Sequence, residues 1–376
     1  MKILVLNSGS SSLKFDVWET SPSMIADSSD LLLAQGAVER VTNMEDALTS
    51  VFRKLHQMPV DAVGHRIVHG GDRYQTSVLI DDQVEAGINA LSVLAPLHNP
   101  HNLAGVRAAR RYLPGLPHVA VFDTAFHHTL PMHAYAYGLP WSYLTEKGIR
   151  RYGFHGISHR YVSWRFAEHH GRKRADYKLI TCHLGNGCSV CAIEYGKSID
   201  TSMGFTPLEG LLMGTRAGDV DAGAILHLIM HEQQAPADVL KLLNSQSGLR
   251  GLSGVSNDMR DVLAKAKTGD ERATLAVETF CYRVRKYIGA YMAAMDGADA
   301  LIFTGGIGEN SAEIRARVCE KLGHIGIHLD KASNTANSRE DRQIGKGPVE
   351  VWVVPTEEEL LIARDTLRCI LKIPHE

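Results

Sequence analysis

The sequence predicts an α/β fold assembled from two related halves. Residues 3–6 form an apolar run, Asn7 to Ser12 carry only short polar groups and one glycine, and Leu13, Phe15 and Val17 alternate with polar neighbours. That order reads as strand, small-residue turn, strand. The same pattern returns at 178–193: an apolar strand runs to His183, Leu184-Gly-Asn-Gly187 turns the chain, and 188–193 lead out. Each hairpin is followed by a third extended segment, the second at 198–201 after a Tyr195-Gly-Lys197 turn. Two matched hairpins imply an internal duplication. A third observation is a strand, glycine loop, helix unit, with an apolar strand at 299–303, glycines at 305, 306 and 308, and Ile314, Val318 and Leu322 on one helical face.

Backbone N–H groups and hydroxyls of the first turn can converge on an anion, with Lys14 close by. An ordinary polar hairpin is the alternative. A nucleotide held by two such hairpins, one per half, would receive donors to its phosphates from opposite sides.

At 376 residues, 44% hydrophobic and 22% charged, the chain is long enough for two domains with substantial cores. A formal charge of -2 gives no overall drive towards nucleic acid or an anionic membrane. The apolar run after Lys2 is too short for a signal peptide, and no segment is long and apolar enough to span a bilayer. Six cysteines without regular spacing fit reduced thiols, so a cytoplasmic protein is expected. Cys188-Ser-Val-Cys191, with Cys182 and His183 nearby, raises zinc or redox chemistry. On a strand, however, the two cysteines face opposite sides. His227 and His231 have helical spacing but lack the adjacent glutamate of a zinc protease.

Taken in order, 21–60 are weakly patterned, with one helix expected at 44–56. A strand at 62–68 carries Arg66 between apolar residues and stops at Gly70-Gly71. Such an arginine is costly to bury unless it meets an anion. A proline-bracketed loop at 95–102 feeds a helix at 103–112, and a buried strand at 118–122 ends in Asp123. That puts a carboxylate at the carboxyl edge of a sheet, where α/β proteins place ligand chemistry; a turn or helix cap is the alternative role. Glycine-flanked polar clusters follow at 150–156 and 204–221, where backbone can approach a ligand closely. A long amphipathic helix is expected at 272–295. The segment Thr304-Gly-Gly-Ile-Gly-Glu-Asn310 lacks the signatures of a P-loop and of a dinucleotide site. The last helix opens with Thr356-Glu-Glu-Glu359, a capping-box pattern.

The combination of Asn7-Ser-Gly-Ser-Ser-Ser-Leu-Lys14, His65-Arg-Ile-Val-His-Gly-Gly71, His183-Leu-Gly-Asn-Gly187, Met213-Gly-Thr-Arg216 and Thr304 to Asn310 resembles the acetate kinase family. Phe154-His-Gly156 and Asp258-Met-Arg260 fall between them in the same order. The resemblance implies the duplicated, actin-like (ribonuclease H-like) two-domain fold with a nucleotide cleft, an acyl-kinase domain at 1–148 plus 357–376, and a nucleotide-binding domain at 149–356. It implies reversible, in-line transfer between ATP/ADP and the acetate/acetyl phosphate pair with Mg2+, Mn2+ being a possible substitute, and a homodimer that binds neither nucleic acid nor membrane.

Carried over residue by residue, the resemblance implies that Arg66 orients the acyl carboxylate and that Arg216 and His155 stabilise the transferring phosphoryl group. Asp123 matches the essential aspartate, with Asn7 and Glu358 sharing the metal site. Lys14, Ser10, Ser12, His183, Asn186 and Gly187 would line the phosphates. Asp258, Arg260, Gly305, Gly306, Gly308 and Asn310 would hold the adenosine. Val68, Leu97, Phe154 and Pro207 match the small apolar pocket for the acyl methyl group. The chain departs from the family in a shortened segment before Gly64 and in His128 and Cys188, where glutamine and a small residue are common. A propionate or other short-chain acyl kinase is the near alternative. A nucleotide-switched actin-like binding protein is the distant one, and it leaves Arg66, Arg216 and His155 unexplained.

Overall fold

The computed structural model describes residues 1–9, 12–55 and 58–374. The chain forms two compact units, Met1–His128 with Glu357–Glu376, and Thr129–Thr356. Residues 129–148, expected in the first domain, belong to the second. The Thr129 hydroxyl donates to Ser198 O, Ala136 bridges Arg150, and the Tyr137 hydroxyl donates to Glu209.

In the first unit, β1 (Lys2–Ser8), β2 (Ser12–Glu19), β3 (Leu31–Glu39), β4 (Ala62–Ile67), β5 (Val78–Leu79) and β6 (His118–Phe122) form one sheet. Its order is β3-β2-β1-β4-β6-β5. β1, β2 and β3 make an antiparallel meander, β1, β4 and β6 run parallel, and β5 closes the edge antiparallel. The second unit repeats this plan with β7 (Lys178–Leu184), β8 (Cys188–Glu194), β9 (Lys197–Thr201), β10 (Ala300–Thr304), β11 (Arg342–Gly345) and β12 (Glu350–Val353). Read from its far edge, the order is β9-β8-β7-β10-β12-β11: again a meander, a parallel trio and an antiparallel edge. The duplication expected from the hairpins is therefore a duplication of whole sheets.

Burial explains which strands take the centre. Ile3, Leu4, Val5 and Leu6 are all buried, as is every residue of β10, because parallel strands covered on both faces read as continuous apolar runs. β2 alternates instead, with Leu13, Phe15 and Val17 inside and Lys14 exposed. On one side of the first sheet, Leu4, Leu6 and Phe15 pack with Leu48 and Val51 of the helix Met44–Lys54. Against β1, β4 and β6 lies the helix Glu358–Leu371, buried from Leu360 to Arg368. Arg364 in that helix donates from Nε to Asp30 at 3.1 Å, so its buried charge is paired.

Some elements differ from expectation. β3 is the third extended segment expected after the first hairpin, but its bounds within 21–60 were not legible, because its residues are half-buried or exposed and give no apolar alternation. The helix expected at 44–56 ends at Lys54, and His56 lies outside the described residues. The segment Gly305–Asn310 is a helix rather than a loop. Glu309 Oε1 accepts from the Gly305 amide at 2.9 Å, satisfying a helix-start donor that the glycines leave open. The capping box at Thr356 does not form. The final helix starts at Glu358 without a side-chain cap, and the Thr356 amide donates to Glu309 at 3.2 Å, which holds that backbone outside the helix.

The seating of the final helix depends on Gly64 in β4. A Cβ there would lie 2.4 Å from Thr366 Oγ1 and 2.9 Å from Ile362 Cγ2. Gly64→Ala is expected to lower unfolding free energy by about 1–3 kcal/mol through overpacking, read as a lower midpoint in urea; an unchanged midpoint would refute close helix seating.

Candidate active site

The parallel trio of the first unit ends beside three side chains that the sequence singles out. Asn7 lies one residue before the end of β1, Arg66 one residue before the end of β4, and Asp123 follows β6. Register brings them side by side: Leu6 pairs with His65, Arg66 with Val121, and the Asp123 amide donates to Ile67 O at 2.9 Å. Arg66 donates to Asp123 through two parallel bonds, Nε to Oδ1 at 3.0 Å and Nη2 to Oδ2 at 2.8 Å. Glu358, at the start of the final helix, stands 3.6 Å from Arg66 Nη2.

The electrostatics follow from that crowding. Burial opposes the charge on Arg66, but Asp123 and Glu358 more than offset it, so the guanidinium holds its proton more firmly than usual. Glu358 moves the other way: burial, and after it the charges of Asp123 and Glu359, push its carboxyl up to about 7 against the pull of Arg66 and Lys14. Once Glu358 ionises, above about 7, it and Asp123 present two carboxylates to the single guanidinium of Arg66. Oxygen donors of this kind suit a hard divalent cation, and the Asn7 carbonyl is of the same type. Lys14 is exposed on β2 opposite Asn7. Ser12 opens β2, and its carbonyl accepts from the Gly9 amide at 2.8 Å. Ser10 lies outside the described residues.

The second unit gathers a different set. His155 caps the helix Gly156–His169 in the left-handed conformation, φ 57°, a strained state for a non-glycine residue. Its ring stacks on His183 at 4.3 Å between centroids, and its Nδ1 lies 2.9 Å from Ser189 Oγ. His183 Nδ1 is 2.8 Å from Ser158 Oγ. Gly187 marks where these groups meet: a Cβ added there would lie 3.3 Å from His155 Nε2 and 3.6 Å from Arg216 Nη1. Arg216 is half-buried and donates to Pro207 O at 3.0 Å. Burial weakens its hold on the proton, and no carboxylate offsets that.

Beside Gly187, the hairpin turn Gly185-Asn186 forms one wall of a cavity of about 430 Å³. Of the residues that the resemblance assigns to the adenosine, Asp258, Arg260, Gly306 and Asn310 line it, with Ile307 of the same segment; Asn257, Met259, Leu263 and Ser311 also line it and were not singled out in the sequence. Asp258 caps the helix Met259–Ala266 and pairs with Arg260 at 2.5 Å. Gly305 has φ +74° and Gly308 is buried behind the cavity wall, so these two shape the backbone rather than face the space. The four residues expected around an acyl methyl group fall in different units, Val68 and Leu97 in the first and Phe154 and Pro207 in the second. Leu97 is 48% exposed, whereas Phe154 is buried.

Residues 29–364 match the acetokinase family. The chain belongs to that family. It is 49% identical to the acetate kinase of Chloroherpeton thalassium over 415 aligned positions, covering 99% of this chain and all of that one. In structure this acetokinase superposes on Porphyromonas gingivalis acetate kinase with a TM-score of 0.89 at 42% identity, covering 98% and 99% of the two chains. A propionate kinase from Francisella tularensis gives 0.89 at 39%, covering 97% and 98%. The duplicated α/β fold expected from the hairpins is thus the acetokinase fold.

Cys188 and Cys191 are both buried in β8, and burial pushes the Cys188 thiol up to about 12. His227 and His231 stack at 5.1 Å, and no group of three metal-ligating side chains occurs among the described residues.

Because the folded protein holds a proton on Glu358 up to about 7 while the unfolded chain releases it near 4.5, the folded state binds the extra proton between those values. Stability of the metal-free protein therefore falls as pH rises through that window and levels above it. Glu358→Gln is expected to reduce the fall by roughly 2–3 kcal/mol between pH 4.5 and pH 8, leaving the smaller fall that comes from Asp16, whose carboxyl burial pushes up to about 6. Urea titrations in chelator at both pH values test this; parallel curves for wild type and variant would refute it.

Proposed function

We propose that this acetokinase transfers the γ-phosphoryl group of ATP to the carboxylate of acetate, giving acetyl phosphate and ADP, reversibly and with Mg2+, for which Mn2+ can substitute. The family works on small molecules with ATP or ADP and a divalent metal. The observation that carries the reading is the approach of His155 Nε2 and Arg216 Nη1 to Gly187, at the end of a turn that walls a nucleoside-sized cavity. A cation with only neutral partners, beside a backbone that a side chain would obstruct, suits a phosphate.

Acetate is already ionised at neutral pH, so attack of its oxygen on γ-phosphorus with loss of the ADP oxygen needs no proton transfer. The chain's task is alignment and charge neutralisation. Asp123 occupies the Nε–Nη2 edge of Arg66, which leaves the Nη1 donors to orient the acyl carboxylate. Arg216 and His155 stabilise the transferring phosphoryl group. Lys14, Ser10, Ser12, His183, Asn186 and Gly187 serve the phosphate chain. Asp258, Arg260, Gly305, Gly306, Gly308 and Asn310 form the adenosine site. Asp123, Glu358 and Asn7 would hold Mg2+, which when bound neutralises charge on the phosphoryl oxygens.

Val68, Leu97, Phe154 and Pro207 select the acyl methyl group. One methylene is worth only about 1–3 kcal/mol in such a pocket, and the likeness to a propionate kinase makes propionate the second reading. Cysteines that form no disulfide among the described residues support a cytoplasmic setting.

Acyl phosphate formed from ATP and formate, acetate, propionate or butyrate can be trapped with hydroxylamine. Acetate is expected to give the highest kcat/KM. Arg66→Ala and Arg216→Ala are each expected to reduce kcat by roughly 10²–10⁴ while ATP still binds. Phosphate release without acyl phosphate would sink the kinase reading.

The homodimer is supported by the helix Ala222–Met230, whose sequence AGAILHLIM is apolar although none of its residues is buried, with Leu226 and Met230 55% and 62% exposed. Light scattering is expected to give twice the chain mass for wild type and the single mass for Leu226→Glu/Met230→Glu. A monomeric wild type would overturn this assignment.

A further inference from the structure

Behind His155 runs a chain of hydrogen bonds into the core of the second unit. Ser189 Oγ lies 2.9 Å from His155 Nδ1 and 2.7 Å from His159 Nε2, and His159 Nδ1 lies 2.7 Å from Thr181 Oγ1. His159, Thr181 and Ser189 are fully buried. They come from three elements: His159 from the helix Gly156–His169, Thr181 from β7 and Ser189 from β8.

With neutral rings the protons can run along this chain in two directions. In the first, the Thr181 hydroxyl donates to His159 Nδ1, His159 Nε2–H donates to Ser189, the Ser189 hydroxyl donates to His155 Nδ1, and the remaining proton of His155 sits on Nε2. Every buried proton then has an acceptor. In the second, His155 Nδ1–H donates to Ser189, Ser189 donates to His159 Nε2, and His159 Nδ1–H donates to Thr181. The Thr181 hydroxyl proton is then left without an acceptor, because among the described residues its oxygen bonds to His159 alone. An orphaned buried donor disfavours the second direction by roughly tenfold or more.

We infer that Thr181, His159 and Ser189 are positioning residues that lock the neutral imidazole of His155 as its Nε2–H tautomer, so that a donor, not a lone pair, faces the position beside Gly187 and Arg216. The value of that donor to phosphoryl transfer rests on the kinase reading; the tautomer itself does not. An Nε2 lone pair would repel the phosphoryl oxygens it is meant to bind.

The test is long-range ¹H–¹⁵N correlation on protein labelled at histidine nitrogens, with the His155 signals assigned by their loss in His155→Asn. Wild type is expected to show Nε2 protonated and Nδ1 bare. Thr181→Val keeps the shape of the side chain but removes the hydroxyl three hydrogen bonds away from His155, and is expected to give a mixture of tautomers, as is Ser189→Ala. Thr181→Ser is expected to restore the wild-type pattern. In acyl phosphate formation, kcat should fall in proportion to the Nε2–H fraction, about twofold for an even mixture, with both KM values unchanged. A wild-type His155 carrying its proton on Nδ1, or on both nitrogens, would overturn the inference, and so would a Thr181→Val spectrum identical to wild type. A correct tautomer in a protein that makes no acyl phosphate would instead overturn the kinase reading alone.

Discussion

The two-bond contact between Arg66 and Asp123 is the constraint around which the carboxyl edge of the first unit is organised. A guanidinium this far into a parallel sheet is stable only with a partner fixed in its plane. The partner comes from the neighbouring strand in register, since Asp123 follows β6 and is tied to Ile67 by its own amide. The final helix can bring Glu358 to the same place only because Gly64 lets it sit directly on β4. Packing in the core and charge at the edge are therefore one arrangement. Loosening the helix would remove the second carboxylate from Arg66 as surely as mutating it.

The second unit handles negative charge by the opposite means. Around Gly187 stand an arginine bonded to a carbonyl, an imidazole backed by hydroxyls, and backbone amides. No acidic side chain contributes to the environment of Arg216. A carboxylate there would repel a phosphate, whereas these neutral and cationic groups would attract one. The strain of His155 at φ 57° fits this account, because a left-handed cap turns the ring over the neighbouring strand pair, where Ser189 holds it.

Much of this was legible in the sequence, for a physical reason. Period-two alternation in 13–17 and continuous apolar runs at 3–6 and 300–303 reflect burial on one face or on both, so the hairpins and central strands could be placed. Residues whose chemistry is unusual for their surroundings, such as Arg66 between Gly64 and Ile67 or Asp123 after five buried residues, also stood out. Half-exposed β3 carries no such signal. The helix Gly305–Asn310 was hidden because its stability comes from Glu309 folding back on the Gly305 amide, a tertiary contact rather than a propensity. Thr356 has the residues of a capping box but loses it to the same glutamate. The chain from His155 to Thr181 could be half seen, since His155 and His159 are four apart at a helix start. Ser189 and Thr181 look like ordinary strand residues until pairing of β7 with β8 puts them on one face.

Duplication explains why the two edges could diverge. In each sheet the same parallel trio ends at the same level, with β1, β4 and β6 in one and β7, β10 and β12 in the other. A strand's interior must satisfy burial and register, whereas the residues just past its carboxyl end face fewer packing demands and are free to carry chemistry. In the first copy the carboxyl ends carry Asn7 and Arg66 in the last two residues of β1 and β4, and Asp123 just past β6; in the second, the chain after β7 became a glycine turn and the chain after β10 a glycine-started helix. One copy thus presents an arginine restrained by acids, suited to a small carboxylate and a cation. The other presents bare backbone, an imidazole and an arginine without an acid, suited to a phosphate chain. A single edge could not present both environments, because the acids that organise Arg66 would repel phosphate oxygens.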